Sequence, residues 1–155
     1  MLRVLRLDDA SGQATAQYAY PLPRIPVDKA ADGGFPPDNG LAELLALSDK
    51  RFIAVERAYA DGVGNTIRLV LATIDADTTD VQHLPSLAGA AFQPMRRTLL
   101  LEMPITWQGV TLDNIEGIAW GPRLANGHRT LVLVADNNFS GRQRTQFIAL
   151  EVLPR

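Results

Sequence analysis

Apolar and polar residues alternate with a period of two along most of this chain, and the alternating stretches are rich in β-branched and aromatic residues. This alternation predicts β-strands that bury one face, whereas the i, i+3, i+4 spacing of an amphipathic helix is scarce. Many short strands without a helical pattern indicate an all-β sandwich, barrel or propeller. The predicted strands are Arg3–Leu7, Ala14–Tyr20, Leu41–Leu47, Phe52–Arg57, Thr66–Ile74, Thr79–Leu84, Arg97–Met103, Glu116–Gly121, Thr130–Ala135 and Thr145–Val152.

Turn-forming residues separate these strands. Proline, glycine, asparagine and aspartate cluster at 21–26, 31–40 and 61–65 and at Asn126-Gly127. The stretch 21–40 is the only marked shift in composition. We interpret it as a long surface loop or as a small boundary between two parts of the fold.

A weak internal repeat favours a strand over a helical turn at Ala42–Leu47, where propensity alone allows either. The first copy consists of residues 39–42, a turn and Phe52–Arg57. The second copy consists of Glu116–Ala119, a turn and Leu131–Asn137. Each copy has an acidic or amide residue before glycine, then two apolar strands, then an acidic residue. The small residues suit the innermost strand of a propeller blade, although chance similarity between two hairpins is the alternative.

Composition and charge restrict the classes of partner. The 155 residues are 46% hydrophobic and 21% charged, with a net charge of −2 and no block of basic residues. We therefore expect neither nucleic acid nor a membrane surface as a partner. The absence of cysteine excludes disulfides, thiolate zinc sites and a cysteine nucleophile. The N-terminal residues alternate and do not form the apolar core of a signal peptide.

No familiar hydrolase motif occurs in the sequence. The four serines, at positions 11, 48, 86 and 140, lie outside any Gly-x-Ser-x-Gly motif, which excludes an ordinary α/β-hydrolase. His83 and His128 fall in a predicted outer strand and a predicted turn, and neither is placed like a general base. Hydrolysis of a phosphoester by this chain would therefore be metal-assisted.

A family resemblance is carried by residues 113–139, which read DNIEGIAWGPRLANGHRTLVLVADNNF. This stretch resembles the end of the bacterial phytase-like family, described as esterase-like activity of phytase, and residues 143–147 fit it too. Residues 39–47, 55–57 and 64–69 look like the preceding blade of the same family.

The resemblance implies a partial β-propeller of about two to two and a half blades of four-stranded antiparallel sheet. Residues 1–20 would form outer strands of a preceding blade, residues 40–103 one blade, and residues 114–153 a last, incomplete blade. It also implies a periplasmic or secreted protein, although no signal peptide is recognisable. Exposed blade edges would invite pairing with another chain, so we expect a homo-oligomer.

Blade geometry predicts where a metal would bind. In an antiparallel blade the start of the innermost strand and the end of the next lie together, so Asn114 and Glu116 are expected near Asp136, Asn137 and Asn138. These side chains offer the oxygen ligands that Ca²⁺ prefers, and Ca²⁺ is the predicted cofactor, with Asn114, Glu116, Asp136 and Asn137 as its ligands. The alternative is that these residues cap turns.

By the repeat, Asn39 is expected near Glu56 and Arg57 at the same mouth. Glu43 falls inside an apolar strand, where a carboxylate needs a partner, and Arg57 or Arg68 is the expected one; a metal or substrate role is the alternative.

Four arginines are candidates for binding an anion, because guanidinium groups bind phosphate and carboxylate in bidentate fashion. They are Arg57, Arg123, Arg142 and Arg144, with solvated surface arginines as the alternative. The predicted substrate-binding set is Glu43, Glu56, Arg57, Arg142 and Arg144.

Aromatic residues are predicted to have two kinds of role. Trp120 is expected in the core, while Trp107, in a predicted loop, and Phe139 are expected near the opening.

Two functions follow. The first is metal-dependent hydrolysis of a phosphoester or ester at the propeller mouth. The second is a noncatalytic propeller module that binds a small molecule or a protein partner, which the lack of a nucleophile–base pair favours.

Overall fold

The computed structural model describes residues 1–25 and 36–154, and in these residues the protein is all β with no helix. The described residues therefore contain no helix that could cross a membrane. The strands are β1 (Leu2–Leu7), β2 (Ala14–Tyr20), β3 (Asp38–Ser48), β4 (Arg51–Ala60), β5 (Gly64–Thr73), β6 (Arg96–Met103), β7 (Thr106–Trp107), β8 (Val110–Thr111), β9 (Ile115–Gly121), β10 (Arg129–Ala135) and β11 (Gln146–Val152).

Strands that follow each other in the chain pair in antiparallel fashion. β1 pairs with β2, β3 to β6 form a four-stranded sheet in chain order, β7 pairs with β8, and a three-stranded sheet has the order β11-β10-β9. This arrangement confirms the all-β prediction and is consistent with a partial propeller. β11 is an edge of its sheet, and self-association through such edges stays a prediction.

The four-stranded sheet packs on both faces, which explains the continuous burial of β4. Ile53 and Val55 face one way and pack with Leu131 and Leu133 of β10. Ala54 faces the other way and belongs to a second core with Tyr20, Val70 and Met95. Because successive side chains of a strand point to opposite faces, β4 separates the two cores.

The predicted strand Thr79–Leu84 is not formed, and this prediction was wrong. Only an isolated bridge joins Asp80 to Tyr18. The carboxylate of Asp80 accepts hydrogen bonds from the backbone N–H groups of Gln17 and Gln82, at 3.0 and 2.9 Å. A side chain thus replaces the ladder of backbone hydrogen bonds and turns the segment away from the sheet. The other nine predicted strands are present, including the one at Ala42–Leu47.

The β7–β8 hairpin was not predicted as strands. Trp107 and Val110 pair across a two-residue turn in which Gln108 and Gly109 have φ values of 51° and 77°. Positive φ at both central residues defines a type I′ turn, which suits the twist of two antiparallel strands. The glycine between aromatic and β-branched residues was the available signal. The predicted loop 21–40 lies partly outside the described residues.

Candidate functional site

A polar cleft of about 550 Å³ lies between the four-stranded and three-stranded sheets. Its walls come from the ends of β4 and β5, the segment that leads into β9 and the turn after β10. The residues that line it are Arg57, Tyr59, Gly64, Asn65, Ile105, Thr111, Leu112, Asp113, Asn114, Ser140, Arg142 and Gln143.

Three buried polar atoms in residues of this cleft have no hydrogen-bond partner in the described part of the chain. They are Nε of Arg57, Oδ1 of Asn65 and Oδ1 of Asn114. Asn65 is 9% exposed and Asn114 is 8% exposed. Buried polar atoms are nearly always paired, since leaving one unpaired is unfavourable by about 1–3 kcal/mol. These three atoms belong to residues that line one cavity, but they are themselves buried beneath its surface.

Strand register places these groups. Arg57 follows Ile53 and Val55 at intervals of two on β4, so its side chain lies on the same face, toward β9 and β10. Asn65 is paired with Tyr59 near the β4–β5 turn. Asn114 immediately precedes β9. The apolar core between the sheets therefore ends in a polar cleft.

Asp113 fixes the opposite wall. Its carboxylate accepts hydrogen bonds from the backbone N–H groups of Asn114 and Arg144, at 2.8 and 2.7 Å. The side-chain amide of Gln143 also donates to it, at 3.4 Å. This local network fixes the position of the Asp113 carboxylate at the wall of the cleft.

Charge in the cleft favours an anion. The guanidinium groups of Arg57 and Arg142 line it, against the single carboxylate of Asp113. Arg57 has Asp38 nearby, with 3.7 Å between Nη2 and Oδ2, which is long for a bidentate ion pair. Arg144 lies in an adjoining pocket that shares Asp113 and Arg142 with the cleft. The predicted arginines 57, 142 and 144 are thus brought together, whereas Arg123 instead donates to the carbonyl of Gly127 at 2.9 Å.

The structure brings two of the predicted metal ligands into contact. Nδ2 of Asn114 donates a hydrogen bond to the carboxylate of Glu116. Asn137 caps a turn, since its Oδ1 accepts from the backbone N–H of Phe139 at 3.2 Å, and Asp136 is exposed. Among the described residues, no three His, Cys, Asp or Glu side chains are grouped as they would be around a metal. The Ca²⁺ ligand set stays a prediction.

Glu56 does not lie with Arg57 in the cleft, because adjacent residues of β4 face opposite sides. It is 1% exposed and accepts a hydrogen bond from the hydroxyl of Tyr20 at 2.5 Å. Arg97 donates to both of its oxygens, at 2.6 and 2.5 Å. Burial, followed by the hydrogen bond to Glu56, raises the pKa of Tyr20. The hydrogen bond to Glu56 raises the pKa of Arg97.

The expected ion pair of Glu43 was wrong. Glu43 is exposed, and its Oε1 accepts from the backbone N–H of Leu44 at 2.9 Å. The register of β3 shifts between Leu41 and Glu43, so the strict alternation that would bury Glu43 is broken there. Arg68 pairs with Glu102 instead, at 2.6 Å.

Asn39 lies beside Ala58 in the ladder, and its Nδ2 donates to the carbonyl of Pro23 at 2.8 Å. It is not among the residues that line the cleft.

Three other side chains considered in the sequence, Trp120, His128 and Phe139, do not line the cleft. Trp120 packs partly against the core and has the guanidinium of Arg129 3.3 Å from its ring centroid. His128 lies beside Glu151, with 2.6 Å between Nδ1 and Oε1. Phe139 is fully exposed and does not line the cleft.

Asn65 and Asp113 were not predicted as site residues. Gly64-Asn65 gave only a turn signal, and the pairing that buries Asn65 depends on the register of β4 with β5. Asp113 belongs to the stretch that carries the family resemblance, but nothing in its spacing pointed to the backbone groups that it binds.

Fold and site together define a small all-β protein of antiparallel sheets, with a cleft lined by two arginines between two of the sheets. A family model described as phytase-like, esterase-like activity of phytase, matches residues 1–139. The chain belongs to this family. Comparison with curated proteins and with solved structures gave no match.

Proposed function

We propose that the cleft binds a small anionic ester or phosphoester and that the protein hydrolyses it with the help of Ca²⁺. The observation that carries the proposal is that two guanidinium groups, those of Arg57 and Arg142, line one cavity against the single carboxylate of Asp113. Two arginines that line one half-enclosed cavity are typical of a site that binds an anion.

Phosphate or carboxylate fits the charge of the cleft. A guanidinium group binds either anion with two parallel N–H donors, and the side chain of Arg57 is 25% exposed where it lines the cleft. Arg142 adds a second positive charge from the opposite wall. Anion binding to both side chains would gain more in the half-enclosed cleft than on an open surface, since solvent screens charges less there.

Ca²⁺ would bind where Asn114 and Glu116 lie together. The exposed carboxylate of Glu116 is a hard oxygen ligand, which fits the ion, and the side-chain amide of Asn114 lies in contact with it. Bound there, the ion would supply charge neutralisation for a developing oxyanion. With so few charged ligands, the affinity expected is roughly millimolar, as in weak extracellular calcium sites.

Noncatalytic binding is the second candidate. Ser140 is a hydroxyl in the cleft, but its Oγ accepts from the backbone N–H of Arg142 at 3.2 Å, which is a turn-capping role. No histidine lines the cleft to activate it. A cleft that binds the anion without turnover would keep the same arginine contacts.

The test compares binding and turnover on one set of variants. Phosphate affinity is measured by calorimetry, and release of nitrophenol from its phosphate and acetate esters is followed with and without millimolar Ca²⁺. Arg57→Met and Arg142→Met should each weaken phosphate binding about tenfold or more. Arg51→Met is the control, since Arg51 is exposed at the other end of β4.

Each outcome bears on one part of the proposal. Equal phosphate affinity for Arg142→Met and Arg51→Met would overturn the anion site. Phosphate binding without turnover would favour the noncatalytic function. Glu116→Gln should abolish any Ca²⁺-dependent rise in melting temperature, and no Ca²⁺ effect in the unaltered protein would remove the metal from the proposal.

A further inference from the structure

The cleft continues into two further depressions. The adjoining pocket that contains Arg144 shares Thr111, Leu112, Asp113 and Arg142 with the cleft. This pocket in turn shares Val110, Leu112 and Gln146 with a groove of about 400 Å³. The three depressions therefore adjoin one another near the β7–β8 hairpin.

The groove, which we call the aromatic groove, is mainly apolar. Its walls include Trp107, Val110, Phe147 and Ile148. Phe147 is 74% exposed and Val110 is 51% exposed, so both present apolar surface to solvent. Large apolar side chains exposed side by side, next to a polar site, are typical of ligand-binding surfaces.

Hydrogen bonds hold the groove in place without a ligand. Gln146, at the start of β11, donates through Nε2 to the carbonyl of Thr111 at 2.8 Å. Its Oε1 accepts from the backbone N–H of Asp113 at 2.9 Å. This one side chain therefore ties the hairpin and the cleft wall to the strand that carries Phe147. A preformed surface of this kind binds with less loss of conformational entropy.

We propose that the aromatic groove binds an aryl or short alkyl substituent of the same anion whose charged group lies in the cleft. This inference rests on the proposed function and specifies its substrate class as amphipathic monoesters. The substituent would lie against the exposed ring of Phe147, while Arg142 and Arg144 line the pocket between the groove and the cleft. A small, uniformly charged phosphate would leave the groove empty.

Calorimetry with methyl phosphate and phenyl phosphate tests this at one ionic strength. The unaltered protein should bind phenyl phosphate at least about tenfold more tightly than methyl phosphate, because the phenyl ring is buried from water in the groove. Phe147→Ala should remove most of this preference and leave methyl phosphate affinity unchanged. Phe147 is an exposed residue, so its truncation does not remove core packing. Arg142→Met should weaken both ligands by the same factor.

Phe139→Ala is the matched control, since Phe139 is also exposed but does not line the groove. The preference for phenyl phosphate should survive this change. If both phosphates bind equally well to the unaltered protein, the aromatic groove has no role and the anion site stands. If Phe139→Ala and Phe147→Ala reduce the preference equally, the groove is not the binding surface. If neither phosphate binds, the proposed function and this inference both fail.

Discussion

Arg97 of β6 holds the buried carboxylate of Glu56 across the intervening strand β5, with a donor nitrogen on each carboxylate oxygen. Tyr20 of β2 donates to the same carboxylate. The cluster thus fixes the β1–β2 hairpin to the face of the four-stranded sheet that lies away from the cleft. A buried charge that is paired in this way gives the interface a single register.

Arg97→Met should destabilise the protein by about 3–5 kcal/mol, because it leaves the carboxylate of Glu56 buried and unpaired. The double variant Glu56→Gln/Arg97→Met should regain more than half of the loss, since the amide carries no charge and still accepts from Tyr20. Urea unfolding measures both free energies of unfolding. The control is Arg96→Met, which removes an exposed pair with Asp75 and should have a much smaller effect. A double variant no more stable than Arg97→Met would contradict this account.

Stability at high pH should depend on Tyr20. Its pKa is raised from 10.0 by burial and by the hydrogen bond to Glu56, so the folded state favours the neutral hydroxyl. The stabilisation is therefore complete below the unfolded pKa and is lost as the pH rises above it. The free-energy advantage over Tyr20→Phe should shrink as the pH is raised from about 9 to about 11. An advantage that does not change with pH would show that Tyr20 is not the titrating group.

Gly117→Ala and Gly40→Ala should differ, although the two glycines occupy equivalent positions in the internal repeat. A Cβ atom at Gly117 would lie 2.8 Å from Cγ1 of Val134 on β10, whereas nothing lies within 4 Å at Gly40. Gly117→Ala should therefore destabilise the protein by about 1–3 kcal/mol through overpacking. Gly40→Ala should be neutral or slightly stabilising, since alanine loses less backbone entropy on folding. Thermal or urea unfolding of the two variants makes the comparison.

The contrast between Gly40 and Gly117 shows which features of the fold can be predicted from the sequence and which cannot. Alternation and turn residues located nine strands, because these signals are local and each strand buries a face. The internal repeat correctly matched two hairpins to each other. It did not indicate which side chains of other strands pack over each glycine, and these differ between Gly40 and Gly117. Glu56 and Arg57 make the same point, since their adjacency suggested one site and strand alternation placed them on opposite faces.

Charge and chain position anticipated only some of the residues that line the candidate cleft and its adjoining pocket. Arg57 and Arg142 line the cleft and Arg144 lines the pocket beside it, while their role as anion contacts stays a prediction. Glu43 was misplaced because a register shift in β3 cannot be read from alternation. The burial of Asn65 depends on the register of β4 with β5, which no local pattern encodes.

Phe139→Gly should stabilise the protein. Phe139 has φ of 55° and follows Asn138 with φ of 49°, so two successive residues adopt the left-handed conformation. This conformation is unfavourable by roughly 1–2 kcal/mol for a residue with a Cβ atom, and glycine adopts it freely. The side chain is fully exposed, so removing it sacrifices no packing. Part of the gain is offset because glycine makes the unfolded chain more flexible, and the net increase expected is about 0.5–1 kcal/mol.

Phe147→Gly is the control, since Phe147 lies in the extended strand β11 and its replacement should destabilise the sheet. Urea unfolding of both variants decides the matter: a loss of stability in Phe139→Gly comparable to that in Phe147→Gly would mean that the turn at 137–140 is not strained.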